Sequence, residues 1–299
     1  MPELPDVEIY VEALSRRLLG SALKSARIRG PFLLRSVKPP VQAACGKRVL
    51  EIRRVGKRIA IGFEDELWFV LHLMIAGRLH WKDVEPKALG KNILAAFAFE
   101  SGVLTLTEAG SQRRASLYVL QGPDAPSVLN AGGIDVFSVN FDAFWAVLRS
   151  ENHTLKRSLT DPRLFSGIGN AYSDEILHRA GLSPVALTER LDRDQASRLH
   201  QAAKDVLREW TERLRRETGD RFPEKVTAFR QGMAAHGRFG EPCPRCGTKI
   251  QRIRYASNET NYCPECQTGG RLLADRSLSR LLHDDWPSSL DELEALKKR

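Results

Sequence analysis

Cys243-Pro244-Arg245-Cys246 and Cys263-Pro264-Glu265-Cys266 are two Cys-x2-Cys knuckles separated by sixteen residues. Each knuckle presents two sulfurs to one tetrahedral ion, and this spacing is that of a four-thiolate zinc site. With Cys243, Cys246, Cys263 and Cys266 filling all four positions, no place is left for an activated water, so the spacing predicts one structural zinc ion rather than a catalytic one. Lys249 to Tyr255 and Asn261-Tyr262 read as β-like arms that close a hairpin between the pairs. Arg245, Lys249, Arg252 and Arg254 make the hairpin basic, which suits either a solvated face or a grip on a nucleic-acid backbone.

Before the knuckles the chain is helical. Phe141 to Ser150, a segment around His153 to Leu159, Ala171 to Ala180, and Asp194 to Glu217 carry apolar residues at helical spacing, the last with Leu199, Ala203, Val206, Leu207, Trp210 and Leu214 on one stripe. Gly167-Ile168-Gly169-Asn170 leads into the third of these. Its glycines let backbone amides approach a ligand, and Asn170 can cap a helix whose N-terminal end attracts anions. A phosphate site with Lys156 nearby and an ordinary helical corner both fit.

From about 22 to 122 the pattern is instead one of short apolar runs: Val49 to Ile52, Ile59 to Phe63, Leu67 to Leu73, Ile93 to Phe99 and Val103 to Leu106. Runs of this kind between turn residues predict an all-β sandwich or barrel, with Glu100-Ser101-Gly102 turning one hairpin and Gly56-Lys57 another. Ahead of them Val7, Val11, Leu14 and Leu18 predict an amphipathic helix that stops at Gly20.

The chain opens Met1-Pro2-Glu3-Leu4-Pro5-Asp6-Val7-Glu8. Removal of Met1 leaves Pro2 as a secondary amine beside a carboxylate. An α-amino group is far easier to deprotonate near neutrality than a lysine, so it can attack an electrophilic carbon and form an imine, with Glu3 shuttling the proton. The same residues also serve as a plain helix start, Pro5 opening the first turn and Asp6 and Glu8 complementing its dipole.

Composition narrows the partners. A net charge of +9 over 299 residues points to a polyanion, with nucleic acid first. No run approaches the roughly 18 apolar residues of a membrane span, and the start lacks the basic-then-apolar order of a signal peptide. A cytoplasmic, nucleoid-associated monomer without membrane contact is the expectation, and Cys45 is left over from the paired cysteines.

Pro2 to Glu8, a lysine in a β-hairpin, Gly167 to Asn170 between helices, and Gly240-Glu241-Pro242-Cys243 opening a four-cysteine finger occur in this order over positions 2 to about 267. Together they resemble the bacterial formamidopyrimidine-DNA glycosylase and endonuclease VIII family of base-excision repair enzymes. The resemblance implies an α+β multidomain fold: an N-terminal helix with a catalytic β-sandwich over 1–122, a linker over 123–137, a helix-two-turn-helix domain over 138–237, a zinc finger over 238–270, and a helical extension over 271–299. It implies a bifunctional DNA glycosylase and abasic-site lyase acting on damaged double-stranded DNA, with the damaged nucleotide flipped from the stack. On that resemblance Pro2 is the nucleophile, Glu3 the acid/base, Lys57 a hairpin lysine that contacts phosphate and assists base release, and Lys156 and Asn170 the phosphate-binding pair. Glu175 falls where the family carries an acidic residue near the catalytic amine, and Arg35 is a further phosphate contact.

Three places depart from the family pattern. Asn258 stands where the finger usually presents an arginine, so Asn258, Arg252 or Arg254 must take over that contact. The gap left by the flipped base is filled by Ile75 or, after a shift, Met74, unless that pair is core packing. The Asp-Pro-Arg-Arg-Phe-Gly loop of the family is replaced by Thr107 to Leu117, leaving Arg113 or Arg114 to reach the opposite base without an aromatic wedge. Leu272, Leu273, Leu278, Leu281, Leu282 and Trp286 fit a packed tail. Two other readings are compatible with parts of the pattern: a non-catalytic zinc protein that binds damaged DNA, and a zinc-containing RNA-binding protein.

Overall fold

The computed structural model describes all residues except 110–111, 225, 228, 256–257, 275–286, 288, 291, 293–294 and 296–299. Leu278, Leu281, Leu282 and Trp286 of the expected tail lie outside the described residues. The chain divides into two units, Met1–Ala131 with Glu209–Ala228, and Gly132–Arg208 with Phe229–Arg299.

In the first unit a helix, α1 (Leu4–Leu18), precedes eight strands: β1 (Leu23–Ile28), β2 (Val49–Val55), β3 (Arg58–Phe63), β4 (Leu67–His72), β5 (Gly77–Lys82), β6 (Ile93–Phe99), β7 (Gly102–Glu108) and β8 (Ser116–Gln121). They form two antiparallel four-stranded sheets, β1-β6-β7-β5 and β2-β3-β4-β8. The period-two alternation of a strand explains how the sheets meet. Phe63, Leu67, Phe69, Leu71 and Val119 from one sheet and Leu79, Phe97, Leu104 and Leu106 from the other share one core with Val7, Tyr10, Leu14 and Leu18 of α1. Phe69 packs against Phe63 at 4.9 Å and Phe97 at 5.6 Å. The alternate residues of β4, Trp68 and Val70, face the other way with Ala60 and are covered by Ala125 and Leu129. This is a β-sandwich with a helix in its core. Tyr10 takes the buried helix position expected of Val11, which is only partly buried.

The end of the long helix α5 (Arg193–Thr218) and the residues after it belong to this same unit. Arg215 makes a two-pronged pair with Glu12, and Arg17 donates to Asp220 O at 2.7 Å. Phe222 lies 5.8 Å from Tyr10 and 6.4 Å from Trp81, and Glu224 pairs with His80.

The second unit carries α2 (Phe141–Arg149), α3 (Leu155–Thr160), α4 (Asn170–Ala180), the first part of α5 (Arg193–Thr218), the hairpin β9 (Gln251–Tyr255) with β10 (Asn258–Tyr262), and the short α6 (Pro264–Thr268). Phe144 anchors its helices, with Phe165 at 5.1 Å and His200 stacked at 4.5 Å. The expected cap is corrected. Gly169 is the N-cap of α4 and Asn170 its first helical residue, so the side chain of Asn170 is directed to another partner.

Two turns of the first unit depend on glycine. Between β2 and β3 only Gly56 and Lys57 separate the paired Val55 and Arg58, and Gly56 sits at φ +61° with open space around it. Between β4 and β5 the chain reverses over Leu73 to Gly77, Met74 adopts φ +52°, and a side chain on Gly77 would bring its first carbon to 2.2 Å from Leu73 O. Gly77→Ala is therefore expected to lower stability by roughly 1–3 kcal/mol through overpacking, and Gly56→Ala by about 1–2 kcal/mol through left-handed strain alone. Urea unfolding measures both. A Gly77→Ala protein as stable as wild type would show that the collision is relieved without cost.

Candidate functional site

Glu3 and Asp6 start α1 by capping each other. Glu3 N donates to Asp6 Oδ2 at 2.9 Å, and the Glu3 carboxylate accepts from the backbone of Asp6. Both are buried, Glu3 and Asp6 each 2 % exposed, and Pro2 is buried beside them. This fixes the chain end in a dry setting. The amine of Met1, one residue ahead of Pro2, is held below its ordinary value of 8.0 chiefly by burial, with Arg78 and Lys57 lowering it further while Glu3 and Asp6 oppose. Glu3 and Lys57 thus both lie within electrostatic reach of the amino end. Arg78 joins them unannounced. It follows Gly77 and donates to Ile75 O and Gly77 O at 3.1 and 2.7 Å.

The remaining expected residues of this unit are spread over its surface. Ile75 is 62 % exposed at the β4–β5 turn, which removes core packing as its explanation and places it on a turn rather than a strand. Arg113 donates to Lys91 O at 2.9 Å and lies over the Phe32 ring, while Arg114 bonds Gln112 Oε1. Their loop is fastened from behind by Glu108, 1 % exposed, which accepts from Arg114 N and Ala115 N at 3.0 to 3.3 Å. Arg35 is exposed on the rim of a groove lined by Ile28, Leu34 and Val41. His72, at the end of β4, is pushed down to about 4 by burial, aided by Arg58 and Lys57, and its Nε2 has no hydrogen-bond partner among the described residues.

In the second unit Lys156 and Asn170 come together. Lys156 Nζ donates to Asn170 O at 2.6 Å and to Asp174 Oδ1 at 2.5 Å, and Asn170 Nδ2 donates to Glu259 O at 2.9 Å, tying α4 to β10. Glu175 accepts from the backbone N–H of Ala234, Ala235 and His236 at 2.7 to 2.9 Å. Burial pushes its carboxyl up, against those three bonds. In the hairpin Arg252 is committed to Glu259 at 3.4 Å and to the Phe239 ring at 4.1 Å. Asn258 and Arg254 are exposed near the turn.

The sulfurs of Cys243, Cys246, Cys263 and Cys266 all lie within 4.8 Å of one another. A tetrahedral zinc with bonds of about 2.3 Å spaces its sulfurs at about 3.8 Å, and pairs here stand at 3.4, 3.5 and 3.9 Å. The donor set fits zinc. His178 on α4, which the sequence reading passed over, brings Nε2 to 3.2 Å from Cys243 Sγ.

Similarity to known proteins runs through the whole arrangement. The formamidopyrimidine-DNA glycosylase N-terminal domain matches residues 1–114, the formamidopyrimidine-DNA glycosylase H2TH domain residues 134–219, and the zinc finger found in FPG and IleRS residues 240–269. The formamidopyrimidine-DNA glycosylase of Laribacter hongkongensis is 32% identical over 278 residues, covering 89% of this chain and 100% of the relative. The chain belongs to the formamidopyrimidine-DNA glycosylase family. An uncharacterized formamidopyrimidine-DNA glycosylase-like protein of Mycobacterium tuberculosis is 41% identical over 150 residues, covering 50% of this chain and 93% of that protein. Among solved structures, the MutM (FPG) protein from Thermus thermophilus superposes with a TM-score of 0.74 at 31% identity, covering 89% of this chain and 98% of that one. Family membership carries glycosylase chemistry, helix-two-turn-helix and zinc finger together. Among the described residues no helix is long and apolar enough to cross a membrane.

Two outcomes follow from these environments. Zinc should be measured at about one per chain by metal analysis, and Cys246→Ser or chelation should unfold the β9–β10 hairpin, since structural zinc contributes on the order of 10 kcal/mol to folding; a hairpin intact without metal would refute the site. His72 titrates near 6.5 when unfolded and about 4 when folded, so protonation favours the unfolded chain. Stability is expected to be full above pH 6.5 and to fall as the pH drops from 6.5 towards 4. The urea midpoint of His72→Phe should move less over that window than that of wild type.

Proposed function

We propose that the chain excises oxidised bases from duplex DNA and then cuts the strand at the resulting abasic site, using the amine of Pro2 after removal of Met1. The observation that carries this reading is the dry, cation-flanked chain end: Pro2 is buried beside Glu3, and the amine of Met1 one residue ahead is lowered chiefly by burial and further by Arg78 and Lys57, against Glu3 and Asp6, a setting that favours the neutral form a nucleophile requires. The lone pair of Pro2 attacks C1′ of the flipped nucleotide, the bond from C1′ to the base breaks, and the base leaves with its electron pair and a proton. Glu3 supplies and recovers protons as the sugar ring opens to an imine. The imine draws electrons, so a proton is lost from C2′ and the C3′–O bond breaks, releasing the 3′-phosphate. The second elimination breaks the C5′–O bond on the other side. One amine serves both reactions.

Lys57 meets the phosphate next to the lesion and assists base release, and Lys156 and Asn170 bind phosphate from the helix-two-turn-helix element. Arg35, Arg113, Arg252, Arg254 and Asn258 are further candidates for DNA contact, and Ile75, exposed at its turn, fills the place of the flipped base. One zinc ion held by the four cysteines keeps the finger folded and takes no part in the chemistry. Flipping costs a few kcal/mol, and the phosphate contacts of a chain carrying +9 offset it. The protein acts as a monomer in this reading.

The test is borohydride trapping on a duplex containing an abasic site. A chain beginning at Pro2 is expected to form a covalent adduct with DNA, and the same chain with its N-terminal amine acetylated to form none. Absence of an adduct from the processed chain would sink the proposal. Lys57→Ala should slow excision of an oxidised base by about 10²- to 10⁴-fold, the range of a lost acid–base or charge partner, while leaving trapping at a preformed abasic site largely intact.

A further inference from the structure

We infer that Asp174 is the residue that positions Lys156 for phosphate, an inference that rests on the phosphate role proposed for Lys156. The side chain of Asp174 is fully buried at 0% exposure, and Lys156 keeps 13% of its side chain open to solvent. An ammonium has three protons. Asn170 O and Asp174 Oδ1 take two of them, at 2.6 and 2.5 Å, and among the described residues no other acceptor takes the third, which is left for an external one. The carboxylate is itself held rigidly: Oδ2 accepts from His236 Nδ1 at 2.8 Å and from Asn261 N at 3.2 Å. Because a carboxylate oxygen only accepts, the shared proton sits on Nδ1. His236 is in turn fixed by the stacked ring of Phe229, 5.4 Å away, and by its backbone bond to Glu175.

Burying a carboxylate is costly even when it is paired, and an acid beside a phosphate-binding lysine weakens the bulk attraction to DNA. Attraction alone would therefore select against Asp174. What Asp174 supplies is direction. It offsets the loss of water around the ammonium and fixes which proton points outward, as an outer partner orients a metal-ligating histidine or a catalytic base. Asp174 touches no DNA in this scheme and acts only through Lys156.

The two effects of removing it have opposite signs, which makes the inference testable. Loss of a negative charge by itself tightens DNA binding, whereas loss of positioning weakens it. The measurement is the affinity of the zinc-loaded, full-length protein for a duplex carrying a tetrahydrofuran abasic analogue, taken from about 50 to 200 mM salt. Asp174→Asn is expected to weaken binding about 10- to 100-fold, the scale of a charge-assisted contact, and to reduce the salt slope by about 0.9, one phosphate. Lys156→Gln should do the same, and Asp174→Asn should add nothing further in that background. His236→Phe, which withdraws one support from Oδ2 and keeps the acid, should weaken binding several-fold and likewise lose its effect beside Lys156→Gln. It carries the test if Asp174→Asn fails to fold, as judged by its unfolding midpoint and zinc content. Tighter binding by Asp174→Asn, or effects that persist undiminished without Lys156, overturn the positioning role alone. A Lys156→Gln protein with wild-type affinity and slope overturns the phosphate role of Lys156, and the inference with it.

Discussion

A buried carboxylate accepting backbone N–H groups is the device on which this structure depends wherever regular secondary structure gives out. Glu3, Asp6, Glu108, Asp174 and Glu175 are each 5% exposed or less. Asp6 holds Glu3 N at the entry to α1, and Glu108 holds Arg114 N and Ala115 N at the loop before β8. Asp174 holds Asn261 N in the finger hairpin, and Glu175 holds the N–H groups of Ala234, Ala235 and His236. A hydrogen bond to an ionised acceptor is about twice as strong as a neutral one, and an unmade bond to a buried carboxylate costs more still. Glu108 and Glu175 therefore fix backbone that no sheet or helix ladder would fix, Asp6 fixes the entry to α1, and Asp174 adds a bond to β10 from outside its ladder.

The same burial shapes the chemistry. At the amino end water is excluded, and desolvation with two cations, Arg78 and Lys57, lowers the pKa of the Met1 amine against the pull of Glu3 and Asp6. The acids nearby are engaged with backbone or with the helix start, and their charge is already partly spent. In the second unit the arrangement is reversed: a cation is kept, paired and aimed. In the proposed reading one unit uses burial to favour a neutral amine and the other uses a buried counter-ion to retain a charge, which is the division of labour that covalent attack and phosphate binding respectively require.

Much of this was legible in the sequence, for identifiable reasons. The cysteine knuckles, the Gly56-Lys57 hairpin and the helices announce themselves through short-range spacing, and five strands do so through runs of apolar residues. The strands that escaped were β1, β5 and β8, whose sequences LKSARI, GRLHWK and SLYVLQ mix charged or polar side chains with the apolar ones. They lie at sheet edges, where one side of the ladder is unpaired and fewer positions need be apolar. The cap of α4 was misread because Asn170 is a good capping residue by type, yet its amide is drawn to Glu259 O, eighty-nine residues along the chain. Asp174, His178, Arg78 and His236 were missed for the same reason: each matters through a partner that only folding brings near.

The positions proposed to meet the DNA at the lesion are a different case, because folding places little demand on them. Ile75 is exposed at its turn, Asn258 is exposed at the hairpin tip, and Arg113 rests on Lys91 O and Phe32 at the surface. A side chain that contributes nothing to a core can change without loss of stability, so physical reasoning about the fold constrains the groups that make imine chemistry possible far more tightly than those that choose the base. Arg252 shows the limit from the other direction. It stands on the basic hairpin where a phosphate contact is wanted, but Glu259 and Phe239 already engage it, so using it on DNA means giving up an ion pair and a ring contact. Lys156 has no such conflict, since its buried acid leaves a proton outward. In the proposed reading the phosphate grip accordingly leans on the helix-two-turn-helix element, and the finger supplies, through Asn261 N, one of the bonds that hold Asp174 in place.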